Sequence, residues 1–229
     1  MPKVSVLMPI YKTPEKYLRE AIESILSQTF SDFEFLILDD CPEDNRKDII
    51  ESYKDKRIKY ITNKQNMGIS KSRNKLIKSA KGKFLAIFDH DDISLPERLE
   101  KQVNYLESHP QVGVVGSYIK KSNSDKICKN PIENHDIKLA LMSVSAITHP
   151  AAMIRKDVLL KNNIAYEEEY SPAEDYALWC RLIKHTDFYN IPEVLFIYRE
   201  HETNTTKLQH EKMQNAGLAV RSFVKLENP

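Results

Sequence analysis

Phe84-Leu85-Ala86-Ile87-Phe88-Asp89-His90-Asp91-Asp92 is an apolar run that ends abruptly in a cluster of carboxylates. Such a run reads as a buried strand, and in an open α/β sheet ligands bind outside the carboxyl ends of the strands. Carboxylates crowded there repel one another unless positive charge sits between them, and a hard divalent cation with oxygen ligands meets that need. The stretch therefore points to a metal ion and a phosphate. A turn of purely local purpose is the competing reading, because Asp readily satisfies backbone groups after a strand. The continuation Ile93-Ser94-Leu95-Pro96-Glu97-Arg98-Leu99 weighs against it. Ser94 and Glu97 have capping-box spacing and Pro96 falls in the first turn, so the next helix is expected to carry its own cap and leave Asp89 and Asp91 without a structural task.

Upstream of this stretch, strands and helices alternate. Val4 to Met8 reads as a strand and Pro14 to Ser27 as a helix with Leu18, Ala21, Ile22, Ile25 and Leu26 on one face. Phe33 to Leu38 is a second buried strand ending in Asp39-Asp40. A helix through Ile49, Ile50 and Tyr53, a short strand at Ile58 to Ile61, a helix from Ile69 to Ser79 and the strand Lys83 to Phe88 follow. This alternation predicts parallel strands with crossover helices, so the strand ends bearing Pro9 to Tyr11, Asp39 and Asp89 to Asp91 should share one edge. Downstream the pattern is less regular. A helix from Pro96 to Ser108 and a strand at Val112 to Tyr118 precede a polar stretch, Lys120 to Asn134, read as a loop or hairpin. A helix near Ile137 to Val144, a strand at Ala151 to Ile154, a helix from Asp175 to Lys184, a strand at Val194 to Tyr198 and a tail helix near His210 to Phe223 complete the expected elements.

The 229 residues suit one domain with two lobes: about residues 1–118, about 119–205, and a C-terminal tail over about 206–229. A hydrophobic share of 41%, a charged share of 29% and a net charge of +1 are ordinary for a soluble globular protein. They argue against a dedicated nucleic-acid binder, which needs a basic excess to displace counterions. Cys41, Cys128 and Cys180 lie far apart with no Cys-x-x-Cys pair, which suggests a reducing, cytoplasmic compartment and no zinc site. No signal sequence or membrane-spanning stretch is read, so any membrane association would be peripheral. Asn204-Thr205-Thr206 matches a glycosylation acceptor, which carries no weight without secretion.

With its elements in place, the chain resembles the family-2 inverting glycosyltransferases of the GT-A fold over nearly its whole length. The resemblance rests on Val4-Ser5-Val6-Leu7-Met8-Pro9-Ile10-Tyr11, Ser24-Ile25-Leu26-Ser27-Gln28-Thr29 and Phe35-Leu36-Ile37-Leu38-Asp39-Asp40. It continues through Asn66-Met67-Gly68-Ile69-Ser70-Lys71-Ser72-Arg73-Asn74, Phe88-Asp89-His90-Asp91-Asp92, Ala173-Glu174-Asp175-Tyr176-Ala177-Leu178-Trp179 and Tyr198-Arg199-Glu200-His201. Each motif alone is weak; all of them in family order are specific. The implied fold is α/β, with a Rossmann-like nucleotide-binding half of mostly parallel sheet fused to a smaller acceptor-side lobe. The implied activity moves a sugar from a nucleoside-diphosphate sugar, a UDP-sugar by family frequency, to a hydroxyl of a glycan, lipid-linked or protein acceptor.

The resemblance also implies roles. Asp39 reads the base, while Pro9 and Tyr11 offer backbone carbonyls and an aromatic face to base or ribose. Asn66 and Arg73 belong to the donor site, where Gly68 permits a turn closed to other residues and Arg73 presents a planar fork to oxyanions. Asp89 faces the ribose or sugar, with His90 on the same donor side. Asp91 binds Mn²⁺ or Mg²⁺, and His201 completes the shell. Asp175 is the base, with a helix cap as its alternative, and the helix N-terminus is expected to keep it ionised. Two departures touch nucleotide choice: Cys41-Pro42 stands where the family usually has Gly-Ser, and Lys12 replaces an Asn after Tyr11. His149-Pro150 resembles an acceptor-side feature and is read as structural.

Other classes fit less well. A haloacid-dehalogenase-type phosphatase also ends a strand in Asp-x-Asp, but on its first strand and with a later Gly-Asp pair that this chain lacks. A sugar-nucleotide pyrophosphorylase and a dinucleotide-dependent oxidoreductase both need Gly-rich loops, and this chain has 5 Gly. A non-catalytic nucleotide-sugar binder is the rival that the residues exclude least.

Overall fold

The computed structural model describes residues 1–44, 46–202, 204 and 208–227. In the first half, β1 (Val4–Ile10), α1 (Glu15–Leu26), β2 (Phe33–Asp39), α2 (Lys47–Glu51), β3 (Ile58–Thr62), α3 (Ile69–Ser79) and β4 (Phe84–Ile87) alternate as the sequence predicts. β1 lies between β2 and β4, and β3 flanks β2, all parallel. The register sets Ile10 beside Asp39 and Asp39 beside Thr62, so the strand ends share one rim.

The sheet is two-faced because β side chains alternate. Val4, Val6, Met8 and Ile10 pack with α1 residues Leu18, Ile22 and Ile25 and with α4 (Arg98–Ser108) residues Leu99 and Val103. Leu7, Leu36, Leu85 and Ile87 face the other way, against Leu76 and Ile77 of α3 and Leu178 and Trp179 of α7 (Glu174–Leu182). The sequence pattern ends this strand at Met8, but Pro9 lies buried within β1, which runs on to Ile10. The position tolerates proline because β4 pairs with β1 only as far as Leu7, leaving no ladder donor missing on that side.

The second half continues the same sheet with mixed directions. β5 (Ile93–Ser94), β6 (Val112–Lys121), β7 (Ile127–Cys128), β8 (Met153–Arg155) and β9 (Asp187–Tyr198) join it in the order β3-β2-β1-β4-β8-β6-β9-β5, with β7 paired to β6. β8 runs antiparallel to both β4 and β6, and β6 runs parallel to β9. The helices are α5 (Asn134–Leu141), α6 (Lys156–Lys161), α7 and α8 (His210–Glu227), with 3-10 turns at His149–Ala151 and Glu168–Tyr170. β9 starts earlier than expected because Pro192 hides its first half. The register passes from Ser117 beside Ile191 to Tyr118 beside Val194, so Pro192 and Glu193 are extra residues in a bulge. Thr205 and Thr206 of the glycosylation match lie outside the described residues. No helix among the described residues is long and apolar enough to cross a membrane, and the three cysteines are unpaired.

The start of α4 also departs from expectation. The helix begins at Arg98, and Glu97 makes no side-chain cap. Ser94 belongs to β5, where its N–H donates to Ser24 Oγ and its own Oγ accepts from Gln28 Nε2. The cap comes from a distant residue: Gln28 Oε1 accepts from Leu99 N at 3.0 Å, while Gln28 Nε2 donates to Leu95 O at 2.8 Å and Ser24 O at 3.0 Å. Gln28 thereby ties the end of α1 to the segment leaving the acidic cluster. Because these groups are buried, Gln28→Ala is expected to lower the unfolding free energy by about 1–3 kcal/mol. Urea denaturation measures this, and a loss below about 0.5 kcal/mol would be that of an ordinary surface change.

Candidate functional site

The rim of the parallel half is shaped by two adjacent carboxylates with different tasks. Asp40 is buried and accepts from Asn63 Nδ2 at 2.7 Å, Met67 N at 2.8 Å and Gly68 N at 2.9 Å, so it folds the loop leading into α3. Gly68 sits there at φ +82°, a conformation other residues rarely adopt. Asp39 accepts from Cys41 N at 2.9 Å and from Tyr60 Oη at 2.9 Å. Burial raises its pKa, against those two donors. The residues that follow this pair, Cys41, Glu43 and Arg46, line an open cleft of ≈ 720 Å³ together with Tyr11, Lys12 and Asn66, among others. Lys12 holds φ +48°, a left-handed backbone that Asn tolerates better, which gives a physical reason for the family's usual residue there. Asn66 is exposed and accepts from Gly68 N.

Arg73 is neither solvated nor open to the cleft. It is buried, its Nη2 donating to Asp89 Oδ1 at 3.2 Å and its Nη1 to Glu174 Oε1 at 2.7 Å. Burial opposes its charge, but Asp89, Tyr166, Glu174 and Asp175 outweigh that and hold it protonated. Tyr166 Oη meets His149 Nε2 at 2.7 Å, and burial, then Arg73, push His149 well below the usual histidine range. His149 is thus neutral and enclosed.

Beyond Asp89 the acidic loop is gripped from several directions. Asp91 Oδ2 lies 2.8 Å from His201 Nε2. Arg199 donates from Nε to Asp91 O at 2.6 Å and from its backbone N to Asp92 Oδ1 at 2.8 Å, and it pairs with Glu20 of α1. Tyr17 packs against both, its ring 5.4 Å from the His201 ring and 4.5 Å from the Arg199 guanidinium. Asn204 Oδ1 holds the His201 backbone N at 2.6 Å. Asp92 is fully enclosed, and burial, then Asp91 and Asp89, raise its pKa well above the usual carboxylate range. Arg98, also enclosed, is lowered to about 9 by burial despite Asp92 and Asp89. His90 is partly buried, and its Nδ1 has no hydrogen-bond partner among the described residues.

A carboxylate oxygen and an imidazole nitrogen at this separation suit a divalent cation, which would take the place of their hydrogen bond. No group of three or more His, Cys, Asp or Glu able to hold a metal ion occurs among the described residues. Asp91 and His201 would therefore supply part of a coordination shell, with ligand oxygens and water supplying the rest.

Asp175 is the second residue of α7. No side chain caps that helix from outside, but Asp175 Oδ1 accepts from Tyr176 N at 2.7 Å, so one of its oxygens serves the helix start. Its pKa is raised to about 6, by burial first and then by Glu174, against Arg73 and the Tyr176 N–H. At about 6 the carboxyl is still mostly ionised at pH 7, but it binds a proton more readily than the helix start alone would allow. The structure brings Arg73, Asp89 and Glu174 together, and Asp91 with His201; Tyr11 and Asn66 line the cleft, whereas Asp39, two residues before Cys41, does not line it. Glu174, Tyr166, Arg199 and Tyr17 had no assigned role. Glu174 and Arg199 stand inside quoted motifs, whereas nothing in the pattern marks Tyr166 or Tyr17.

Comparisons with known proteins bear on the family and the fold. Residues 5–162 match the sequence model for glycosyl transferase family 2. An uncharacterized glycosyltransferase of Methanocaldococcus jannaschii is 40% identical over 207 residues, covering 86% of this chain and 71% of the relative. The Escherichia coli O-antigen biosynthesis glycosyltransferase WbnJ is 32% identical over 231 residues, covering 97% and 89% respectively. The crystal structure of S. aureus TarS 1-349 with UDP-GlcNAc superposes with a TM-score of 0.77 at 25% identity; the match covers 88% of this chain and 60% of that one. The phosphatase reading gains no support. The chain belongs to glycosyl transferase family 2, with the α/β architecture of GT-A enzymes.

Proposed function

We propose that the chain is a metal-dependent inverting glycosyltransferase that moves a hexosyl or N-acetylhexosaminyl group from a UDP-sugar to an acceptor hydroxyl. The observation that carries the reading is the convergence of Asp89 with the helix bearing Asp175 through Arg73, beside the Asp91–His201 pair. In this reading Tyr11, Asp39 and Asn66 border the nucleotide, with Pro9 supporting from within β1. Asp89 and His90 face the ribose or sugar, and Arg73 holds Asp89 in place. Asp91 and His201 hold Mn²⁺ or Mg²⁺, which when bound neutralises the diphosphate as it departs. Asp175 accepts the proton of the attacking hydroxyl. UDP is favoured because the TarS neighbour is described in complex with UDP-GlcNAc, and synthesis of a polysaccharide or glycoconjugate because WbnJ is named for O-antigen biosynthesis. We assign the donor to residues 1–118 and the acceptor to 119–205, with a glycan, lipid-linked or protein acceptor. Three unpaired cysteines favour a reducing, cytoplasmic setting.

Calorimetric titration with UDP, with and without Mn²⁺, tests the metal. UDP should bind the parent more tightly with Mn²⁺, and Asp91→Ala should erase the difference while leaving the circular dichroism spectrum unchanged. His201→Ala should raise the Mn²⁺ concentration needed, and excess Mn²⁺ should restore binding. Equal UDP affinity with and without chelator in the parent would remove the metal from the proposal.

Asp175→Asn tests the base and separates an enzyme from a binder. Transfer should slow by about 10²- to 10⁴-fold with donor binding preserved. Survival of transfer within a few fold would leave Asp175 a helix-start residue only. In the parent, kcat/KM should fall as pH drops below about 6, where Asp175 takes up a proton. A profile flat from pH 8 to 5 would contradict this role.

The same shift carries a stability signature. Asp175 is raised from 3.8 to about 6 on folding, so its contribution to stability is full below 3.8 and is lost as pH rises through about 6. Asp175→Asn can still accept from Tyr176 N and escapes that loss. The variant should be more stable than the parent at pH 7.5 by about 1–3 kcal/mol, with the advantage vanishing towards pH 4. Chemical denaturation at the two pH values measures it, and a variant less stable at pH 7.5 would show that the carboxylate is held favourably.

A further inference from the structure

One guanidinium joins the donor-facing end of β4 to the helix that carries the base. Arg73 bridges Asp89 and Glu174, and the Arg73 and Glu174 side chains are only 10% and 7% exposed. The guanidinium lies 5.5 Å from the Tyr166 ring centroid. That ring is itself fixed, since Asn74 accepts from Tyr166 N at 3.0 Å and donates to Tyr166 O at 2.8 Å while His149 holds its hydroxyl. Arg73 and Asn74 are adjacent on α3, so a single turn of helix sets both the cation and the aromatic surface beside it.

Glu174 and Asp175 are consecutive at the start of α7, the first buried and the second partly so, and the charge of Glu174 disfavours charge on Asp175. The groups facing Asp175 are Glu174 and Cys180 on its own helix, Arg73 on α3, Asp89 at the end of β4 and Tyr166 from the loop before the 3-10 turn. Arg221 of α8 bears on Tyr176, one residue on. Among the groups facing Asp175, Arg73 is the cation.

We propose that Arg73 is a positioning residue for sugar transfer: by bridging Asp89 and Glu174 it holds the base-bearing helix against the donor and offsets the charge that Glu174 places beside Asp175. The inference rests on reading Asp175 as the base. It gives Glu174 a role too, as the handle by which Arg73 holds α7. Both ends of the bridge are then needed, because Arg73 without Glu174 no longer fixes the helix, and Glu174 without Arg73 is a buried unpaired carboxylate.

The test observes Asp175 directly. Protein labelled with ¹³C at the aspartate carboxyl carbon is titrated from pH 4.5 to 8.5 by NMR, with the Asp175 signal assigned as the one missing in Asp175→Asn. Glu174→Gln should move the Asp175 midpoint down by about 1 pH unit and Arg73→Met should move it up by about 1 unit, whereas Arg73→Lys, which keeps the charge, should stay nearer the parent. UDP-GlcNAc hydrolysis with Mn²⁺ should show its acid limb displaced in the same two directions, which lost packing alone would not produce. If Arg73→Met fails to fold, Glu174→Gln and Arg73→Lys still decide the matter. An Asp175 midpoint that stays within 0.3 units in Glu174→Gln, or moves in one direction in both charge-removing variants, overturns the inference. The signal reports Asp175 whether or not it is the base, so that result leaves the base reading standing. Survival of transfer in Asp175→Asn would instead overturn the base reading and this role for Arg73 with it.

Discussion

Repulsion among the carboxylates at the end of β4 is the constraint around which the rest of the molecule is arranged. Two like charges about 4 Å apart at an effective dielectric constant near 20 repel by roughly 4 kcal/mol, a large part of the roughly 5–15 kcal/mol that stabilises a domain. Each member of the cluster is answered by a different piece of chain. Asp89 is met by Arg73 of α3, Asp91 by His201 beyond β9, and Asp92 by the backbone of Arg199. Asp92, the most enclosed, is shifted towards its neutral form, which lessens the repulsion that the other two feel. The answering groups come from distant points in sequence, so the site assembles only when both halves of the sheet have joined.

The balance is also incomplete in a useful way. Arg73 is spent on Asp89 and Glu174, and Arg98 is enclosed, donating to the carbonyls of Ile87 and Ala152. Arg199 is committed to the Asp91 carbonyl and Glu20. A diphosphate arriving beside Asp91 would bring further negative charge to a rim whose arginines are already engaged. In the proposed function Asp91 and His201, a carboxylate and an imidazole 2.8 Å apart, would be the groups that recruit the further positive charge.

The parallel half was legible because its signals are local and redundant. Apolar runs end at polar strand termini, and the crossover helices carry apolar faces, so β1 to β4, α1 and α3 fall close to where the periodicity puts them, while α2 stops at Glu51, short of Tyr53, and β1 runs on to Ile10. The second half was less legible for identifiable reasons. Pro192 masks the first half of β9, and the bulge that absorbs it depends on pairing with β6. The cap of α4 is Gln28, seventy-one residues from Leu99, so the nearer Ser94 and Glu97 imitate a capping box that does not form. At the site, residue types that terminate strands could be named from pattern, but the partners that fix them could not. Tyr166 beside Arg73 and Tyr17 beside His201 are ordinary aromatics until the fold places them.

Asp175 shows how competing magnitudes decide a residue's chemistry. A helix N-terminus favours a carboxylate by about 0.3–1 kcal/mol, rising to about 2 in a partly buried setting, which is under two pKa units. Removing the carboxylate from water can act in the opposite direction by about 3–5 units. The adjacent Glu174 adds to that, while Arg73 and the Tyr176 N–H recover part of it, and the result lies at about 6. Were the dipole dominant, Asp175 would be firmly ionised but a weaker proton acceptor; were burial unopposed, it would be protonated and unable to act as a base at neutral pH. General-base catalysis is served best when the acceptor's pKa lies near the working pH. If Asp175 is the base, Glu174 therefore has a place in the site without touching substrate: it brings Arg73 to the helix that carries Asp175 and, by its own charge, makes Asp175 more basic.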